Sequence, residues 1–142
     1  MGNQLDKIKF KSQKKIETDG GDIYHIMKIK NHQDFEFKEA YFSFIEFDFV
    51  KGWKKHLKMY SNLIVPIGEV KFTFVSEDFK NVKQIILGND NYGLLSIPPN
   101  IWFSFKGISK DQNIILNLSN LEHDKKETKN IKLEEFPLKI NL

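Results

Sequence analysis

The sequence contains no cysteine and no arginine. Without cysteine there is no disulfide, no thiolate nucleophile and no zinc–thiolate centre. Without arginine there is no guanidinium fork for phosphate, so a nucleotide diphosphate would have to be held by lysines and backbone amides. All 22 basic side chains are lysine, set against 19 acidic ones, and the net charge of +3 is too small to mark a nucleic-acid binder. No apolar run reaches the roughly 18 residues that a membrane helix needs. The opening MGNQLDKIKF lacks the apolar centre of a signal peptide. There is also no internal repeat, no low-complexity tract and no long helical period capped at both ends. These absences predict a cytoplasmic protein that engages neither membrane nor nucleic acid. Its 142 residues suit one domain, 1–142, around one core.

What is present is strand after strand. In EVKFTFV, Val70, Phe72 and Phe74 alternate with Glu69, Lys71 and Thr73, the period of a half-buried strand. DIYHIMKIK and EAYFSFIEFDFV alternate in the same way, the second placing Tyr41, Ser43, Ile45, Phe47 and Phe49 on one face. KQIIL, GLLSI, IWFSF, NIILNL and a final FPLKI read as further short strands. Turn chemistry separates them at Gly20-Gly21-Asp22, Pro66-Ile67-Gly68, Gly88-Asn89-Asp90 and Pro98-Pro99-Asn100. NHQDFEF is the one weak helix candidate, and EHDKKETKN reads as a charged loop. Thirteen phenylalanines imply an aromatic core or pocket. The pattern predicts an all-β, antiparallel sandwich or barrel.

His56 stands out in GWKKHLKMYSNLIVPIGEVKFTF. One reading is a solvated residue at the end of a polar strand, beside Lys54 and Lys55. The other is a general base, because an imidazole with an ordinary pKa near 6.5 is largely neutral at cell pH and can take and return a proton. If the strand continues past His56, Lys58 shares its face and could steady an enolate or bind phosphate, with Asn62 as a neutral partner. Trp53 and Trp102 are candidates for stacking on a base or sugar ring, with core packing as the plainer alternative. His25 alternates with apolar residues and reads as a core histidine, and His32 as a surface one.

Taken in order, GWKKH, VPIGEVKF, LLSIPPNIWFSF, LNLSNLEHDKKE and EEFPLKI resemble the cupin jelly rolls. The Gly-rich lead-in DGGDIYHIM and the turn Ile97-Pro98-Pro99-Asn100 fit the same pattern. The resemblance runs from about Gly20 to Ile140. It points to the branch around dTDP-4-dehydrorhamnose 3,5-epimerase and the dTDP-keto-sugar 3,4-ketoisomerases. The metal motif of other cupins would fall on Lys54, His56, Ser61 and Phe103, and one imidazole among these four cannot coordinate a metal. The resemblance therefore implies a metal-independent, cofactor-free epimerase or isomerase of a nucleotide-linked keto-deoxysugar, serving surface-polysaccharide biosynthesis. It places the base at His56, its carboxylate partner at Glu134 and the acid position at His123, where the family's tyrosine is missing. Tyr41 and Ser43 match the positions where relatives contact sugar. A homodimer is expected, since relatives cover their sheet edges by pairing. The alternative is a non-catalytic sugar-nucleotide-binding member of the same fold.

Overall fold

The computed structural model describes Gly2–Leu142. Its strands are β1 (Lys9–Ser12), β2 (Lys15–Ile16), β3 (Ile23–Tyr24), β4 (Glu39–Phe44), β5 (Val50–His56) and β6 (Ser61–Ile67). They continue with β7 (Glu69–Val75), β8 (Val82–Gly88), β9 (Gly93–Ile97), β10 (Trp102–Gly107), β11 (Ile114–Ser119) and β12 (Thr128–Asn130). Two five-stranded antiparallel sheets form, in the orders β1-β9-β6-β11-β4 and β12-β5-β10-β7-β8, with β2 and β3 as a small separate ribbon. This is the all-β, antiparallel architecture that the alternation predicts and the jelly roll that the resemblance implies, and among the described residues the only helical elements are short 3₁₀ turns. No helix among them is long and apolar enough to cross a membrane.

The core follows from the period of two. Val70, Phe72 and Phe74 of β7 are fully buried and meet Leu63 and Val65 of β6, Leu95 and Ile97 of β9, and Ile115 of β11. Burying side chains of this size stabilises by roughly 1.5–3 kcal/mol each relative to exposure. The opposite face of β5 and β10 carries Trp53 and Trp102. They are buried under the C-terminal segment, where Trp53 stacks on Phe136 with ring centroids 3.9 Å apart. Gly68 turns the chain from β6 into β7 at φ +84°, where a Cβ would lie 2.1 Å from the Gln112 carbonyl oxygen, so only glycine fits.

Three segments differ from the sequence expectation. DIYHIMKIK pairs only at Ile23–Tyr24, and NHQDFEF holds turns after a 3₁₀ turn at Ile29–Asn31 rather than a helix. EAYFSFIEFDFV leaves the ladder after Phe44, and Asp48 turns at φ +62°, leaving Phe47 and Phe49 exposed. FPLKI is not a strand. Pro137 has no N–H to give a ladder, and the segment packs through side chains onto the outside of β5 and β10.

Candidate active site

Strand alternation on β5 sends Gly52, Lys54 and His56 toward the inside of the roll and Trp53 and Lys55 toward the outside. The inward residues line a cavity of about 300 Å³. Phe103 and Phe105 of β10, Phe72 of β7, and Leu63, Ile97, Ile101 and Ile115 form its apolar walls. Its polar groups are Tyr41 and Ser43 of β4, Ser61 of β6, Asn117 of β11, Asn130 of β12, and Lys51 and Lys54. Gly52 is needed where β5 passes β10, because a Cβ there would sit 2.4 Å from the Ser104 Cβ.

His56 is only 8% exposed. Its ring lies 5.8 Å from that of Phe103, nearly parallel to it. Behind the ring stands Glu127, whose Oε1 is 2.5 Å from Nδ1. The neighbourhood of Glu127 fixes which group carries the proton. Its Oε2 accepts backbone N–H bonds from Leu57 (3.2 Å), Lys58 (3.1 Å) and Met59 (3.1 Å). Burial alone would raise the Glu127 carboxyl, but the His56 ring and these N–H groups outweigh it and hold it below the ordinary range. An ionised carboxylate accepts only, so Nδ1 carries the hydrogen and Nε2 keeps a lone pair. Burial likewise pushes the imidazole below its usual value, against the pull of Glu127, with Lys54 and His123 adding to the downward push. The ring is therefore neutral at cell pH, with a free basic nitrogen.

The pairing has a backbone cause. β12 runs antiparallel to β5 with Thr128 opposite His56, and the Leu57 N–H donates to the Glu127 carbonyl at 2.7 Å. A 3₁₀ turn, Lys125–Glu127, leads into β12; the Asp124 side chain caps it by accepting from the Lys126 N–H. That turn lays the Glu127 side chain beneath the Leu57–Met59 bend.

Of the residues singled out in the sequence, the structure brings His56, Tyr41 and Ser43 to one cavity. Glu134 is not the partner of His56. It lies exposed in the 3₁₀ turn Leu133–Glu135, on the outer side of the sheet beside Trp53 and Phe136. His123 is exposed, its backbone N–H held by Glu39, and it does not line the cavity. Lys58 is exposed, because β5 ends at His56 and the period of two ends with it; only its backbone N–H serves the site. Asn62 faces the other side of β6, held by Ser96 Oγ and the Leu118 carbonyl. Trp53 and Trp102 belong to the outer cluster and not to the cavity wall. The residues missed were Glu127, Lys54 and Asn117. For Lys54 the signal was available, since it lies two residues before His56 on one strand face.

The four positions of the cupin metal motif, Lys54, His56, Ser61 and Phe103, all line this cavity. Their donor set does not fit a metal: lysine, serine and phenylalanine replace three of the ligands. Among the described residues no three His, Asp or Glu side chains stand together as ligands.

Comparison with known proteins bears on this arrangement. A family model, "FdtA: WxcM-like, C-terminal", matches residues 6–136. No curated protein matches the sequence. A dTDP sugar isomerase from Desulfovibrio desulfuricans G20 superposes with a TM-score of 0.88 at 26% identity, covering 96% of this chain and 92% of that one. The sugar 3,4-ketoisomerase QdtA from Thermoanaerobacterium thermosaccharolyticum, solved with TDP, superposes at 0.74 and 22% identity over 88% of each chain. The 3,5-epimerase RmlC from Legionella pneumophila, in complex with dTDP-4-keto-L-rhamnose, gives 0.79 at 16% identity over 94% and 77%. The fold is thus the RmlC-type cupin jelly roll.

Proposed function

The chain belongs to the WxcM-like, C-terminal (FdtA) family, and from that premise we propose that it isomerises a nucleotide-linked keto-deoxysugar by moving its ketone between adjacent carbons. One observation carries the reading: a buried histidine, oriented by a buried carboxylate, presents its free nitrogen to a cavity large enough for a sugar ring. His56 Nε2 takes the proton from the carbon between the ketone and a neighbouring hydroxyl. Glu127 stabilises the imidazolium that forms. The electron pair moves onto the ketone oxygen, where the Lys54 ammonium and the Tyr41 hydroxyl stabilise the enolate. Protonation of that oxygen gives an enediol. Loss of the other hydroxyl's proton, with return of the proton from His56 to the former carbonyl carbon, leaves the ketone one position along. The sequence is redox-neutral and needs a single carbon base.

Lys51 is the cation that would meet the diphosphate of a TDP-type substrate, in place of the absent arginine, with Lys54 kept at the enolate. The D. desulfuricans isomerase and the TDP-bound QdtA support the substrate class. Surface-polysaccharide biosynthesis is the proposed setting and the cytoplasm the proposed compartment. A homodimer is the proposed unit, formed by a second copy on the free edge of β4, where Phe42 and Phe44 are 62% and 59% exposed.

The test is solvent deuterium exchange into TDP-4-keto-6-deoxyglucose. The protein should incorporate deuterium next to the ketone, and His56→Ala should bind TDP yet incorporate none. Binding without exchange by the wild type would favour the non-catalytic sugar-nucleotide-binding alternative.

A further inference from the structure

Between the end of β5 at His56 and the start of β6 at Ser61 the chain bends through Leu57–Tyr60. Two side-chain oxygens hold that bend. Glu127 Oε2 takes the N–H groups of Leu57, Lys58 and Met59. Asn120 Oδ1 takes the fourth, from Tyr60, at 2.7 Å. This last bond stands in for a ladder bond. β11 pairs Leu118 with Asn62 and Ser119 with Ser61, so the next pair along is Asn120 with Tyr60. In an antiparallel ladder such a pair can exchange two backbone bonds. Here one of them forms, the Asn120 N–H donating to the Tyr60 carbonyl at 3.4 Å. The other is replaced by the Asn120 side chain. The backbone is thereby free to leave the sheet after Asn120 and run on to Glu127, while Tyr60 stays tied to the end of β11.

Both anchors of the bend therefore lie on one segment, Asn120–Glu127. The entry to the bend is fixed by β12, which sets Thr128 opposite His56, and the exit is fixed by Asn120. Between these points the Lys58 and Met59 N–H groups must converge on a single oxygen, the arrangement that keeps Glu127 ionised behind the imidazole. Without the Asn120 oxygen the half-buried Tyr60 N–H loses its acceptor, and one long backbone bond is left at the exit. The bend then opens, the two N–H groups leave Oε2, and the carboxylate shifts away from Nδ1. Asn120 does not line the cavity, so it acts on His56 only through the bend and Glu127. Resting on the isomerase reading above, we propose that Asn120 is a positioning residue for the proton transfer, its amide oxygen setting the geometry of the His56–Glu127 pair.

The test compares the wild type with Asn120→Leu, which removes the acceptor and keeps the bulk, and with Asn120→Asp, which keeps an acceptor oxygen in place. Asn120→Ala stands in where leucine does not fold. The readouts are deuterium incorporation into TDP-4-keto-6-deoxyglucose, the dissociation constant for TDP, and the proton resonance of the His56 Nδ1–H, which lies far downfield while bonded to a carboxylate. Asn120→Leu should exchange about fivefold to tenfold more slowly, the low end of the cost of orphaning a buried donor. It should bind TDP as the wild type does and show the resonance moved upfield. Asn120→Asp should keep both the rate and the resonance. The assignment is overturned if Asn120→Leu retains the wild-type rate and resonance, if its TDP affinity falls in step with its rate, or if Asn120→Asp is as slow as Asn120→Leu. A wild type that binds TDP and exchanges nothing overturns the isomerase reading alone, and the resonance in the variants then upholds or overturns the role of Asn120 by itself.

Discussion

Replacing Glu127 by glutamine exchanges one oxygen for an NH₂ group and removes a charge, and the surroundings leave the new side chain no good orientation. The carboxylate accepts the His56 Nδ1–H on one oxygen and three backbone N–H groups on the other. If the glutamine oxygen stays beneath the bend, its NH₂ faces the ring. Nδ1 must then accept, the proton moves to Nε2, and the base is blocked. If the amide turns over, the Lys58 and Met59 N–H groups lose their acceptor and meet another donor, and Leu57 keeps only the Glu127 carbonyl. Either way the imidazolium loses its counter-charge. A hydrogen bond to a charged group contributes roughly 1.5–3 kcal/mol, so the exchange rate should fall about tenfold to a hundredfold, at 1.36 kcal/mol per factor of ten. The assay is deuterium incorporation from solvent across a pH series, with TDP affinity measured alongside. Glu134→Gln, on the outer surface, is the control and should behave as wild type. The reasoning is refuted if Glu127→Gln exchanges within about twofold of wild type at every pH, or if Glu134→Gln is the crippled variant.

Stability and assembly give two further expectations. Both site groups have depressed folded pKa values, so the unfolded chain binds more protons than the folded one as pH drops. The His56 contribution is complete above its ordinary 6.5 and is lost as pH falls through the lower folded value. The Glu127 contribution is complete above its ordinary 4.5 and is lost the same way. The melting temperature should therefore begin to fall as pH drops below 6.5 and fall further below 4.5, and Glu127→Gln should lessen the fall below 4.5; a flat profile between pH 7 and 4 would contradict this. If the proposed dimer forms through β4, Phe42→Lys together with Phe44→Lys should convert it to monomer in sedimentation while leaving its circular dichroism unchanged, and a sedimentation profile identical to wild type would remove β4 as the contact.

The fold was legible where its causes are local. Val70, Phe72 and Phe74 alternate within seven residues, and all three are fully buried. The same period on β5 places His56 and Lys54 inside and Trp53 outside, so Trp53 stacks on Phe136 and not on a ligand in the cavity. On β10 it places Phe103 and Phe105 inside and Trp102 outside, and on β6 it turns Asn62 away from Ser61 and Leu63. Lys58 is off that face for another reason: β5 ends at His56. Glu127 was not legible. It stands 71 residues from His56, and what joins them is the short polar strand Thr128–Asn130, which carries no apolar pattern to mark it. Glu134, seven residues further on, looked no different in sequence, and only the pairing of β12 with β5 separates them.

That pairing gives an ordinary-looking surface loop an unusual sensitivity. Segments rich in lysine, glutamate and aspartate commonly absorb an added or missing residue without harm. Here the three residues after Asp124 act as a ruler between a helical cap and a strand aligned on His56. One residue more or fewer would break the spacing between that cap and β12 that lays the Glu127 side chain beneath the Leu57–Met59 bend. Such a length change would be read first in the chemistry of His56 and not in the buried core of β6, β7 and β9, to which β12 contributes no residue.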